Sequence, residues 1–126
     1  MFTSDYTINF WVYPLDDGRA VYFGDYTTTN SSNINFERSA GGAFRYYHNG
    51  SPDSSFSGAN APINTWTMLS VTYSTTDKKL RVYKNGSPAD SIDHTATLTK
   101  NLNSIMRIGR DSRSGTNAAD SSNTAL

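Results

Sequence analysis

Tyr6-Thr7-Ile8-Asn9-Phe10-Trp11-Val12-Tyr13-Pro14 alternates side chains in the period of a β-strand and ends on a proline, which has no N–H to give to a sheet ladder. Tyr6, Ile8, Phe10 and Val12 share one face, which fits a core face, and Trp11 points the other way. The same alternation recurs in Thr65-Trp66-Thr67-Met68-Leu69-Ser70-Val71-Thr72-Tyr73, where Leu69, Val71 and Tyr73 share a face. After a polar turn it returns in Lys79-Leu80-Arg81-Val82-Tyr83-Lys84, with Leu80 and Val82 inward. Asn85-Gly86 then supplies the two positive-φ residues of a type I′ hairpin turn.

Working outward from these three segments, alternation predicts further strands over residues 19–23, 33–38, 43–47 and 104–110, making seven with 6–13, 65–73 and 79–84. Asp16-Asp17-Gly18 and Gly41-Gly42 read as turns. Residues 25–32, 49–62 and 90–102 read as long polar loops, and 111–126 as a polar C-terminal tail outside a sandwich of 1–110. No apolar set recurs with helical spacing over three turns. The fold class is therefore all-β, an antiparallel β-sandwich whose inward side chains interdigitate across about 10 Å.

Composition narrows the function. The chain has 126 residues, one domain's worth, with 11 basic and 11 acidic side chains that cancel. No basic cluster is denser than Lys78-Lys79, which argues against nucleic acid as a partner. With no cysteine there is neither a disulfide framework nor a thiolate metal site. No run approaches membrane-spanning length, and residues 1–5 have neither the basic start nor the apolar stretch of a signal peptide.

The F-W-V-x-P strand at Phe10–Pro14, the W-x-x-x-x-V-x-Y strand from Trp66 to Tyr73, the L-x-V-Y-x-N-G strand and turn from Leu80 to Gly86, and Ile108-Gly109 together resemble a laminin-G-like domain. That family belongs to the concanavalin A-like lectin/glucanase superfamily, and the resemblance runs from about residue 2 to residue 110. It implies a jelly-roll sandwich. It also implies a non-catalytic module that recognises glycans or glycosylated surfaces, outside the cell, on a cell surface or on a phage particle. The alternative is a structural domain of a phage virion or tail that contacts proteins only. Domains of this kind usually have a strand before the F-W-V segment and another after I-G. Their apparent lack predicts exposed sheet edges, filled by self-association or a partner protein, or else by the tail or residues 1–5.

Candidate chemistry is sparse. Glycoside hydrolases of the superfamily commonly carry an E-x-D-x-E run, since two carboxyl groups must flank the scissile bond. Here Glu37 is the single glutamate, with no acidic neighbour at i+2 or i+4, and reads as an exposed strand charge with Arg38 or Arg45 as partners. No catalytic residue is expected. His48 and His94 read as surface imidazoles, without a third ligand for zinc. Calcium is the cation the resemblance implies, with Asp16, Asp17 and Asp25 as loop candidates. For a sugar, Tyr46, Tyr47, His48 and Asn49 beside the 49–62 loop, with Tyr26 before Thr27, offer rings and an amide. One of Tyr46 and Tyr47 is expected in the core. Trp11 and Trp66 match positions that are structural in the family and are expected to pack.

Overall fold

The computed structural model describes residues 4–18, 20–26, 32–39, 41–48, 51–95, 105–108 and 124–125. In chain order the strands are β1 (Tyr6–Pro14), β2 (Ala20–Tyr26), β3 (Ser32–Arg38), β4 (Phe44–His48), β5 (Ser51–Phe56), β6 (Thr67–Ser74), β7 (Lys79–Lys84), β8 (Ser87–Asp93), β9 (Ile105–Ile108) and β10 (Thr124–Ala125). A short 3-10 turn, Ser57–Ala59, follows β5. They form two five-stranded antiparallel sheets, ordered β10-β1-β6-β7-β8 and β5-β4-β3-β2-β9.

The central pairing is β1 with β6, in register from Tyr6 opposite Tyr73 to Val12 opposite Thr67. Thr67, Leu69, Val71 and Tyr73 are buried on β6, as are Leu80 and Val82 on β7. Against them the second sheet places Tyr22, Ile34, Phe36, Phe44, Tyr46 and Phe56, all buried. Phe44 sits at the middle of this core, with its ring centroid 5.8 Å from Phe36, 6.0 Å from Phe56 and 6.3 Å from Phe10 of the opposite sheet. Burying so many aromatic rings accounts for how a chain without disulfides closes a sandwich.

All seven expected strands are present, and three are added. β5 lies in the 49–62 stretch read as loop, β8 extends the Asn85-Gly86 hairpin into the 90–102 stretch, and β10 comes from the tail. Asn85 and Gly86 have φ of 52° and 82°, as a type I′ turn requires. β10 covers only the end of β1, with Tyr13 opposite Ala125 and Pro14 opposite Thr124, so two tail residues take part of the edge expected to be exposed.

Two further expectations are corrected. Glu37 is fully buried, not an exposed strand charge. It lies on the outer side of β3, with Asn35 Nδ2 donating to its Oε2 at 3.2 Å and Arg45 opposite it on β4. A buried carboxylate requires such donors, which isolated strand sequence does not reveal. His94 is also buried, at 6% exposure, just after β8. Its ring meets Tyr46 and Tyr73 edge-on, at 5.4 and 5.8 Å between ring centroids, and its backbone N–H donates to the Lys78 carbonyl at 2.6 Å. Burial holds its imidazole below the usual histidine range.

Candidate functional site

The residues expected to bind a sugar fall on the second sheet. Tyr46 is the core member of its pair, 2% exposed and 5.1 Å from Phe36 between ring centroids, so its ring is not on the surface. Tyr47 and His48 complete β4, opposite Asn35 and Ser51. Tyr26 ends β2 on the other side of β3, opposite Ser32 and Ile105. The side chains of Tyr26, Tyr47 and His48 lie outside the described residues, as does Asn49 altogether.

The calcium candidates are occupied by protein groups where they are described. Asp16 Oδ1 accepts from the Gly18 N–H at 2.7 Å, an Asx turn that closes the β1–β2 corner. Asp17 Oδ1 accepts from Arg38 Nη2 at 2.7 Å, while Arg38 Nη1 donates to the Gly18 carbonyl at 2.6 Å. These two bonds anchor Arg38, which is only 2% exposed, and tie the β1–β2 turn to the end of β3. Asp25 lies within β2, opposite Ile34, with its side chain outside the described residues. Among the described residues no group of three or more His, Cys, Asp or Glu side chains converges on a metal site, and no helix is long and apolar enough to cross a membrane.

The feature that sequence reading assigned to packing lies on the outer face of the first sheet. Trp11 is 54% exposed and Trp66 is 52% exposed, so neither is a core residue. Strand period decides this. Tyr6 and Val12 are buried on β1 and Ile8 and Phe10 are half-buried, whereas Thr7, Asn9 and Trp11 on the alternate positions are exposed. Met68 is directly opposite Trp11 on β6. Tyr13 and Trp66 form the next pair, with ring centroids 5.3 Å apart at 49°. Trp66 stands one residue before β6, and Asn64 anchors that approach by donating its N–H to the Pro14 carbonyl at 2.7 Å. Leu15 and Ile63 flank the pair, 52% and 47% exposed.

Four side chains, Trp11, Tyr13, Trp66 and Met68, thus form one block on one face of the sheet. Isolated exposed apolar residues are ordinary, but contiguous large ones at a sheet surface mark contact sites. Polar rows follow toward the far end of the sheet. Asn9, Ser70 and Tyr83 lie in line across β1, β6 and β7, and then Thr7, Thr72 and Arg81. Asn85 borders the block through reciprocal bonds with Met68: its Oδ1 accepts from the Met68 N–H at 2.9 Å, and its N–H donates to the Met68 carbonyl at 2.8 Å. A concavity of about 480 Å³ lies beside Arg81, Tyr83, Pro88, Asp90 and Ser91, where a bulge interrupts the β7–β8 register. The signal for the aromatic block was present in the sequence as the position of Trp11 on the face opposite Phe10.

Two antiparallel sheets packed as a sandwich are the frame of a concanavalin A-like domain, and comparison with known proteins agrees. Residues 1–122 match the Laminin_G_3 family, described as Concanavalin A-like lectin/glucanases superfamily, and the chain belongs to that family. No curated protein matches the sequence. Among solved structures, the chain is similar to the CBM40 of a Ruminococcus gnavus IT-sialidase, bound to alpha2,3 sialyllactose, with a TM-score of 0.74 and 11% identity. That alignment covers 90% of this chain and 67% of the other. It is also similar to a heptameric SAP-like pentraxin from Limulus polyphemus, with a TM-score of 0.57 and 17% identity, over 72% of this chain. The alignment spans 44% of the pentraxin's length. A third likeness is to the extracellular region of zebrafish Gpr126/Adgrg6, with a TM-score of 0.62 and 17% identity, over 88% of this chain and 15% of that one. At these identities the likeness is one of fold.

Proposed function

We propose that this domain is a non-catalytic glycan-recognition module that acts outside the cytoplasm. The observation that carries the reading is the exposed Trp11 and Trp66 on one sheet face, with the half-buried Tyr13 ring packed against Trp66. Sugars present apolar C–H faces that stack on such rings, and neighbouring amides and hydroxyls orient them. Asn9, Ser70 and Tyr83 supply those groups in the adjacent row. The family supports the reading, as does the Ruminococcus gnavus module, whose structure holds a saccharide. Hydrolysis is disfavoured: two carboxyl groups must face a substrate, and the single glutamate of the chain, Glu37, is fully buried beside Asn35.

A glycan array probed with the wild-type domain and with Trp66→Ala tests the proposal. Saccharide signals that disappear in the variant, at an unchanged melting temperature, are the expected result. An array on which the wild-type domain gives no signal would refute it.

A further inference from the structure

The shape and charge of the aromatic block say more about the ligand than that it is a sugar. We infer that the outer face of the first sheet binds an extended, uncharged polysaccharide chain across several consecutive sugar units. This inference rests on the glycan reading above.

Three observations carry it. The first is linearity. Trp66 and Tyr13 form one pair, Trp11 and Met68 the next, and Asn9, Ser70 and Tyr83 the row beyond, so ring contacts and polar contacts succeed one another along the strand direction. Rows of one face are two residues apart, about 6.8 Å at the rise of an antiparallel strand. The two indoles are diagonal neighbours, a relationship that places backbone positions about 7–8 Å apart. A single pyranose cannot occupy both rings and the polar row, whereas a chain lying along β1 and β6 can.

The second is openness. Trp11 and Trp66 are both more than half exposed, and Asn9, in the next row on β1, is exposed as well. An end-binding lectin encloses one terminal sugar in a concave site, whereas rings standing exposed on a sheet face leave both ends of a ligand free to continue.

The third is charge. Trp11, Tyr13, Trp66, Met68, Asn9, Ser70 and Asn85 carry no formal charge. Among the described residues, the first cation along the face, Arg81, is ion-paired with Asp77. An acidic sugar transferred to this surface would lose water around its carboxylate without gaining a cationic partner.

Native-gel affinity electrophoresis and titration calorimetry of the full chain test the inference, with cellohexaose, xylohexaose and laminarihexaose set against glucose, galactose and alpha2,3-sialyllactose. Retention by at least one neutral hexaose, with no measurable binding of the monosaccharides or of sialyllactose, is expected. Trp11→Ala and Trp66→Ala should each weaken the hexaose by about tenfold, and Trp→Phe at either position should restore part of the loss. Both tryptophans are half-exposed, so their melting temperatures should stay close to wild type. Binding of sialyllactose or a monosaccharide alone, or hexaose binding indifferent to both tryptophans, would overturn this inference and leave glycan recognition standing. Failure of every saccharide tested would overturn both.

Discussion

The phenol of Tyr13 and the indole of Trp66 lie 5.3 Å apart, centroid to centroid, at the C-terminal end of β1, and Trp66 keeps half of its surface in water. Trp66 and Trp11 are the two tryptophans of the chain, so tryptophan fluorescence, excited selectively over the eight tyrosines, reports this face alone. Emission of the folded protein should be red-shifted and accessible to iodide or acrylamide. Blue-shifted emission that resists both quenchers would place the indoles in the core.

The interior should respond quite differently. Leu69 is fully buried at the centre of β6, and Leu69→Ala should cost about 2–5 kcal/mol through lost burial and the cavity left behind. Denaturant melts decide it, and an unchanged midpoint would show that the β6 register is off by one, which exchanges the two faces.

Two glycines should resist substitution for separate reasons. Gly58 packs so closely on β8 that an added Cβ would press into the Ala89 carbonyl oxygen, so Gly58→Ala should destabilise although this exchange often stabilises elsewhere. Gly86 has open space around it but a φ of +82°, so Gly86→Val should destabilise through backbone strain alone. Gly86→Asn, which tolerates that φ, should recover most of the loss.

His94 should make stability depend on pH. Burial against Tyr46 and Tyr73 lowers its folded-state affinity for protons, whereas the unfolded chain titrates it near about 6.5. Above that pH both states are neutral and the full stability is present. As pH falls, the unfolded state takes up the proton first, and stability declines until the pH passes below the folded-state value. The drop in melting temperature between pH 7.5 and 5.5 should therefore shrink in His94→Gln. An identical drop in wild type and variant would assign the effect to other groups.

What the sequence disclosed follows a physical pattern. Strands paired on both sides, such as β6 and β7, must bury a continuous apolar face, so Leu69, Val71, Leu80 and Val82 announce them. The three strands it hid, β5, β8 and β10, are all at sheet edges. Ser51-Pro52-Asp53-Ser54-Ser55-Phe56 and Ser87-Pro88-Ala89-Asp90-Ser91-Ile92-Asp93 each carry a proline and at least one aspartate, which edges tolerate and which deter pairing with other chains. Glu37 and His94 were misplaced because their burial depends on what lies against them from distant segments, Asn35 and Arg45 for one, Tyr46 and Tyr73 for the other. Trp11 was legible by parity as an outward ring. Its hydrophobicity and its family position argued for packing, and parity was the better guide.

The central claim, that the Trp11–Trp66 face is where a glycan sits, is tested most directly by NMR, since the two tryptophans give two indole N–H resonances. Titration of a neutral hexaose that binds should shift both indole signals along with the backbone amides of Asn9, Tyr13, Met68 and Ser70. A hexaose that binds while both indoles stay still, with the shifts confined to β3 and β4, would contradict the account and move the site to the second sheet.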